Sequence, residues 1–64
     1  MIKTYPELPD WVFEIEEVSA GVYQVLARNN VGQQVEEKGI DVIRMIETCR
    51  EQARNIQLKG SPND

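Results

Sequence analysis

No histidine occurs among the 64 residues. That absence removes imidazole acid–base chemistry, Ser/His/Asp and Cys/His nucleophilic arrangements, and His-containing zinc sites from the functions open to the chain. The single cysteine, Cys49, allows neither an intrachain disulfide nor a Cys-rich metal site, and it points to a reducing compartment. Neither a Gly-rich phosphate loop nor an EF-hand spacing of carboxylates is present, so no cofactor and no metal are expected. Apolar runs stay well short of the roughly 20 residues that cross a bilayer, and the N-terminal stretch carries neither a basic nor an apolar export segment. The expectation is a soluble, cytoplasmic protein that does not bind membranes.

Basic residues are scarce too. Seven Lys and Arg stand against eleven Asp and Glu, a formal net charge of -4, which disfavours phosphate backbones and anionic lipid. Arg44, Arg50 and Arg54 are the only candidates for a basic patch, and Glu47 and Glu51 interleave with them. Direct nucleic-acid binding is therefore not expected. The small size imposes a further bound. For so short a chain, apolar burial at about 25 cal/mol per Å² roughly balances an ordering cost of about 1.5 kcal/mol per residue. With no disulfide or metal to help, self-association is a natural remedy.

What is present reads as one α+β domain over residues 1–60, followed by a disordered tail at 61–64. Pro6 and Pro9 bias Tyr5 and Leu8 toward extended backbone and make a helix improbable; residues 1–10 are read as an extended N-terminal arm, with Tyr5 and Leu8 available to pack on the domain edge. From Trp11 to Val18 the side chains alternate, with Trp11, Phe13 and Ile15 on one face and Val12, Glu14, Glu16 and Val18 on the other. Ser19, Ala20 and Gly21 form a turn in which Gly21 takes a positive φ, and Val22 to Arg28 returns. Closing the hairpin on that turn pairs Val18 with Val22, Glu17 with Tyr23, Glu16 with Gln24, Ile15 with Val25, Glu14 with Leu26, Phe13 with Ala27 and Val12 with Arg28. One face then collects Trp11, Phe13, Ile15, Tyr23, Val25 and Ala27, as a core requires.

A second turn at Asn29 to Gly32 leads to a weak strand, Gln33 to Lys38, whose only apolar residue is Val35. It belongs at an edge, where Glu36 and Lys38 discourage further pairing. Its register is open, because turns of different length put Val35 on opposite faces. Asp41 is a good N-cap for a helix from Val42 to about Leu58, with Val42, Met45, Ile46, Cys49, Ala53 and Ile56 in one apolar stripe and Glu47–Arg50 and Glu51–Arg54 as i,i+3 charge pairs. Gly60 and Pro62 end it. The expected architecture has two layers: a three-stranded antiparallel meander in the order β-β-β-α, covered by one C-terminal amphipathic helix.

Two groups of residues stand out as candidate sites. Glu14, Glu16, Glu36 and Glu37 form acidic rows that read either as a solvated face or as a recognition surface for a basic partner. Val12, Val18, Val22 and Leu26 lie on the second sheet face among charged and polar neighbours. An apolar patch rimmed by charge marks interaction sites, although isolated strand valines also arise from β propensity alone. Cys49 on the apolar stripe reads as a small buried hydrophobe. Trp11 and Tyr23 read as core, and no nucleophile–base pair can be nominated.

The run Pro6-Glu7-Leu8-Pro9-Asp10-Trp11, followed by Glu17-Val18-Ser19-Ala20-Gly21-Val22-Tyr23, resembles a group of short bacterial proteins of uncharacterised function, which implies a bacterial cytoplasmic origin. The strand, strand, strand, helix order is similar to the small sheet-plus-helix domain of HicB-type antitoxins. The reading that emerges is a small acidic, non-enzymatic protein-interaction module that forms a homodimer, or binds another protein, through Val12, Val18, Val22 and Leu26. The alternative is an antitoxin-like inhibitor whose acidic surface meets a basic nucleic-acid-binding target.

Overall fold

Alternating apolar side chains in β2 (Leu8–Ser19) and β3 (Val22–Asn29) draw these strands into the central hairpin of an antiparallel sheet. The pairs expected from Val12/Arg28 through Glu17/Tyr23 are all present, and Trp11 adds a pair with Asn29. This structure, a computed structural model, describes residues 1–59; the expected tail at 61–64 lies outside them. β4 (Gln34–Gly39) pairs with β3 and forms one edge, as the weak strand was expected to. The helix α1 (Val42–Lys59) then returns across β2, β3 and β4.

The sheet has four strands where three were expected. The additional one is β1 (Ile2–Tyr5), formed by the stretch read as an arm and paired antiparallel with β2, so the order is β-β-β-β-α. The two prolines exclude a helix but leave room for a strand. Pro6 sits in the turn between β1 and β2. Pro9 lies where the β1–β2 register slips, between the Lys3/Phe13 and Tyr5/Leu8 pairs, and beyond the last β2–β3 pair at Trp11. A missing N–H is tolerated at such a bulge. β2 consequently starts at Leu8, which is buried against the core.

One expected pair is wrong. Ser19, not Val18, faces Val22, because the register shifts between Glu17 and Ser19. The extra residue is a β-bulge next to a tight turn, and bulges of this kind restore the right-handed twist that the turn would otherwise oppose. Gly21 takes the left-handed conformation there, at φ 73°, and its N–H donates to the Glu17 carboxylate at 3.0 Å. Asn29 organises the second turn: its side-chain oxygen accepts from the N–H of Val31 and of Gln33, and its own N–H donates to the Gln33 carbonyl at 3.0 Å. Gly32, at φ 88°, closes that loop. The open register of Val35 is thereby resolved, since it pairs with Ala27 and packs against the core.

Between sheet and helix lies a core of Leu8, Trp11, Phe13, Ile15, Val25, Ala27, Met45, Cys49 and Ala53, with Tyr5, Tyr23, Val35, Val42, Ile46 and Ile56 packed around it. Every member of the expected inner face and of the expected helix stripe is in this group. Asp41 caps α1 as expected: its carboxylate accepts from the Arg44 N–H at 3.1 Å, and its carbonyl accepts the first helical bond from Met45. Cys49 is fully buried, its sulfur 3.9 Å from the Val25 carbonyl oxygen. Burial pushes its thiol up to about 11, and the nearby carboxylates of Glu37 and Glu36 add to the effect. Among the described residues no helix is long and apolar enough to cross a membrane.

Candidate functional site

A single helix covers only one face of the sheet, so the opposite face of β1 to β4 is left without a second layer. The strand alternation and the pairing register decide what stands there. Val12 is beside Arg28 and Gln34; Ile2, Glu14, Leu26 and Glu36 form a row across all four strands; Glu16, Gln24 and Lys38 form the next. Val22 closes the face at the hairpin end, opposite Ser19. Val12, Val22 and Leu26 are half-buried by their neighbours. Val18, displaced by the bulge, is 41% exposed, and Ile2 at the other border is 65% exposed.

Three of the candidate interface residues, Val12, Val22 and Leu26, thus share the outer face on regular strand. Val18 sits apart from them at the bulge. Sequence reasoning missed Ile2, which extends the Leu26 row to the edge. The signal for it was the composition of Ile2 to Tyr5, where isoleucine, threonine and tyrosine favour strand.

The acidic set divides. Glu14, Glu16 and Glu36 stand on the outer face, the first two on β2 and the third on β4, with β3 between them. Glu37 does not join them: it pairs with Val25 on the inner face, is half-buried, and lies near Cys49. A strand period of two sends consecutive residues to opposite faces, and with Val35 inward Glu37 has to be inward as well. Two of the outer carboxylates are already partnered. Glu14 forms an ion pair with Arg28 at 3.2 Å, and Glu36 accepts a hydrogen bond from the Gln24 side chain. Exposed pairs of this sort contribute little stability, but they fix side-chain positions on the face. A shallow depression of about 170 Å³ opens between Met1, Glu14, Glu16, Gln24 and Leu26.

Two of the three basic candidates on the helix are also committed. Arg50 and Arg54 turn to Glu7 in the β1–β2 turn instead of to Glu47 and Glu51, and the Arg50 guanidinium stacks 4.3 Å from the centre of the Tyr5 ring. Local i,i+3 pairs are worth a few tenths of a kcal/mol. A cation held at once by an aromatic face and a carboxylate outweighs them. The hydrogen bond from Arg50 holds the Glu7 carboxyl below the usual carboxylate range.

No protein-family model, curated protein or solved structure matches the chain. Among the described residues, no group of His, Cys, Asp and Glu side chains is arranged to hold a metal ion. The outer face offers aliphatic side chains interspersed with carboxylates, glutamines, one arginine and one lysine.

Proposed function

We propose that the chain is a small acidic, non-enzymatic protein-interaction module that associates with a second copy of itself through the helix-free face of the sheet. The observation that carries this reading is the asymmetry of the sheet: α1 seals one face, while the other retains Val12, Val22 and Leu26 under only partial cover. The size of the chain pushes the same way, since so short a domain has little stability to spare and gains from burying a second face. Contacts of this type combine apolar and charged groups, and here Leu26 stands between Glu14 and Glu36 with Val12 beside Arg28.

The solution mass by light scattering, over a concentration series at low and high salt, tests it together with Val22→Lys. The expected result is a dimer that persists in high salt and that the substitution weakens. A wild-type chain that stays monomeric throughout the series removes the self-association reading. A second reading, an antagonist that meets a basic nucleic-acid-binding surface, is favoured by Glu14 and Glu16 on β2 and Glu36 on β4 sharing one face. It predicts the opposite salt response, because charge-driven contacts weaken steeply with ionic strength and apolar burial does not.

A further inference from the structure

β1 is the least secured part of the sheet. Ile2, Lys3 and Thr4 are exposed and Tyr5 is only half-buried. The helix packs on β2, β3 and β4 but not on β1, and the ladder between β1 and β2 is interrupted between Lys3 and Tyr5. What reaches across from the helix is a clasp of side chains. Arg50 stacks on Tyr5 and bonds Glu7, Arg54 stands 3.9 Å from the same carboxylate, and Tyr5 rests edge-on against Phe13 with ring centres 5.1 Å apart. The clasp is incomplete, because the buried Nε of Arg50 has no hydrogen-bond partner among the described residues.

The connection beyond the clasp is suited to opening. Pro6 follows Tyr5 and Pro9 follows Leu8, and each confines the residue before it to extended backbone. Releasing the Tyr5/Leu8 pair therefore leaves both flanks of the Pro6–Glu7 turn extended. Behind β1 runs the edge of β2, a twelve-residue strand whose inward residues Leu8, Trp11 and Phe13 are the largest fully buried side chains. An edge of this kind is a template for another strand.

We propose that β1 is an exchangeable strand: it leaves β2 as a unit, and the β2 edge it vacates receives β1 of a second copy. The occupant follows from the fit. An identical segment places Ile2 opposite Glu14, Lys3 opposite Phe13, and Tyr5 between Phe13 and Arg50 of the receiving chain, so the incoming strand reproduces every pairing that the departing one made. Exchange of an identical element between copies is a low-cost route to association, and here it uses a surface separate from the outer-face contact proposed above.

The test uses full-length chains that carry Val22→Lys, which weakens the outer-face contact. Ile15 and Met1 exchange both backbone hydrogen bonds, so Ile2 and Glu14, one residue further along each strand, form a non-hydrogen-bonded pair with Cα atoms roughly 4.5 Å apart, within disulfide range. Chains with Ile2→Cys are mixed with chains with Glu14→Cys and oxidised; buried Cys49 stays out of the reaction. The expected product is a mixed disulfide between the two chains, formed at least about tenfold above a control pair of Ile2→Cys with Gln34→Cys. Adding Arg50→Gln raises its rate several-fold. No mixed product above the control, while the double variant Ile2→Cys/Glu14→Cys closes within its own chain, overturns the proposal. An independent readout needs no substitution: backbone hydrogen exchange at Lys3 runs at least about tenfold faster than at Val25 and Ala27 if β1 opens alone. Equal protection at these positions overturns the proposal as well.

Discussion

On the inner face of β2 and β3, Trp11, Phe13, Val25 and Ala27 are closed off from solvent, whereas on the outer face of the same strands Val12, Val22 and Leu26 keep part of their surface open. Both faces use residues of high β propensity, and the alternation that separates them is equally regular. The difference lies in α1. The helix adds Met45, Cys49 and Ala53 to one side only, and nothing among the described residues does the same for the other. An aliphatic side chain on this sheet is therefore sealed in the core or left partly open according to the face it occupies.

The sharpest way to break the comparison is to shorten one large side chain on each face. Phe13→Ala empties a fully buried site and is expected to cost about 3–5 kcal/mol, enough to unfold a chain of this size. Leu26→Ala in monomeric conditions is expected to cost less than about 1 kcal/mol. Urea denaturation midpoints measure both, and equal losses would show that the outer face is as much a core as the inner.

Cys49 offers a titration of the inner face alone. Its thiol, held neutral to about pH 11 in the fold, ionises near 8.5 in the unfolded chain. A raised pKa contributes stability that is complete below the unfolded value and is lost as pH rises through the folded one. Stability should therefore decline by about 2–3 kcal/mol between pH 9 and 11. Cys49→Ala should remove that slope, and a variant with the same alkaline decline would put its cause elsewhere.

A charge placed on each side of β4 is the next contrast. Val35→Asp sets an unpaired carboxylate against the core and should cost more than about 1 kcal/mol, while Gln34→Asp on the opposite face should stay within about 0.5 kcal/mol. Matching denaturation midpoints for the two would contradict the Ala27/Val35 pairing. The smallest effect concerns the covering helix itself. Asp41→Ala removes the N-cap and should cost about 1 kcal/mol, and an unchanged midpoint would mean that Arg44 N–H finds an equal partner in water.

The central hairpin, the helix and its cap were legible in the chain because apolar periodicity reports burial. Where Phe13 must share a face with Ala27, and Ile15 with Val25, one register satisfies both, and the same logic at a different period marks Met45, Cys49 and Ala53. The features that escaped have no such signature. β1 has no fully buried side chain, so it leaves no periodic apolar trace, and its strand-forming residues were overshadowed by two prolines. The bulge at Val18 answers to the twist of the hairpin, which no pattern of hydrophobicity records. Arg50 meets Tyr5 and Glu7 across more than forty residues of sequence, beyond the reach of helical spacing rules. On the candidate surface, the alternation placed Val12, Val22 and Leu26 together, but the separation of Glu37 from Glu36 depended on the turn at Asn29.

That separation also bears on how far any assembly can grow. A sheet that lengthens strand by strand needs two receptive borders, one to give and one to take. On β4, Glu37 points toward the helix side from the outermost strand, so an incoming chain would have to lay its own inward side chains beside a half-buried carboxylate. An inward-pointing charge of this kind discourages addition at that border.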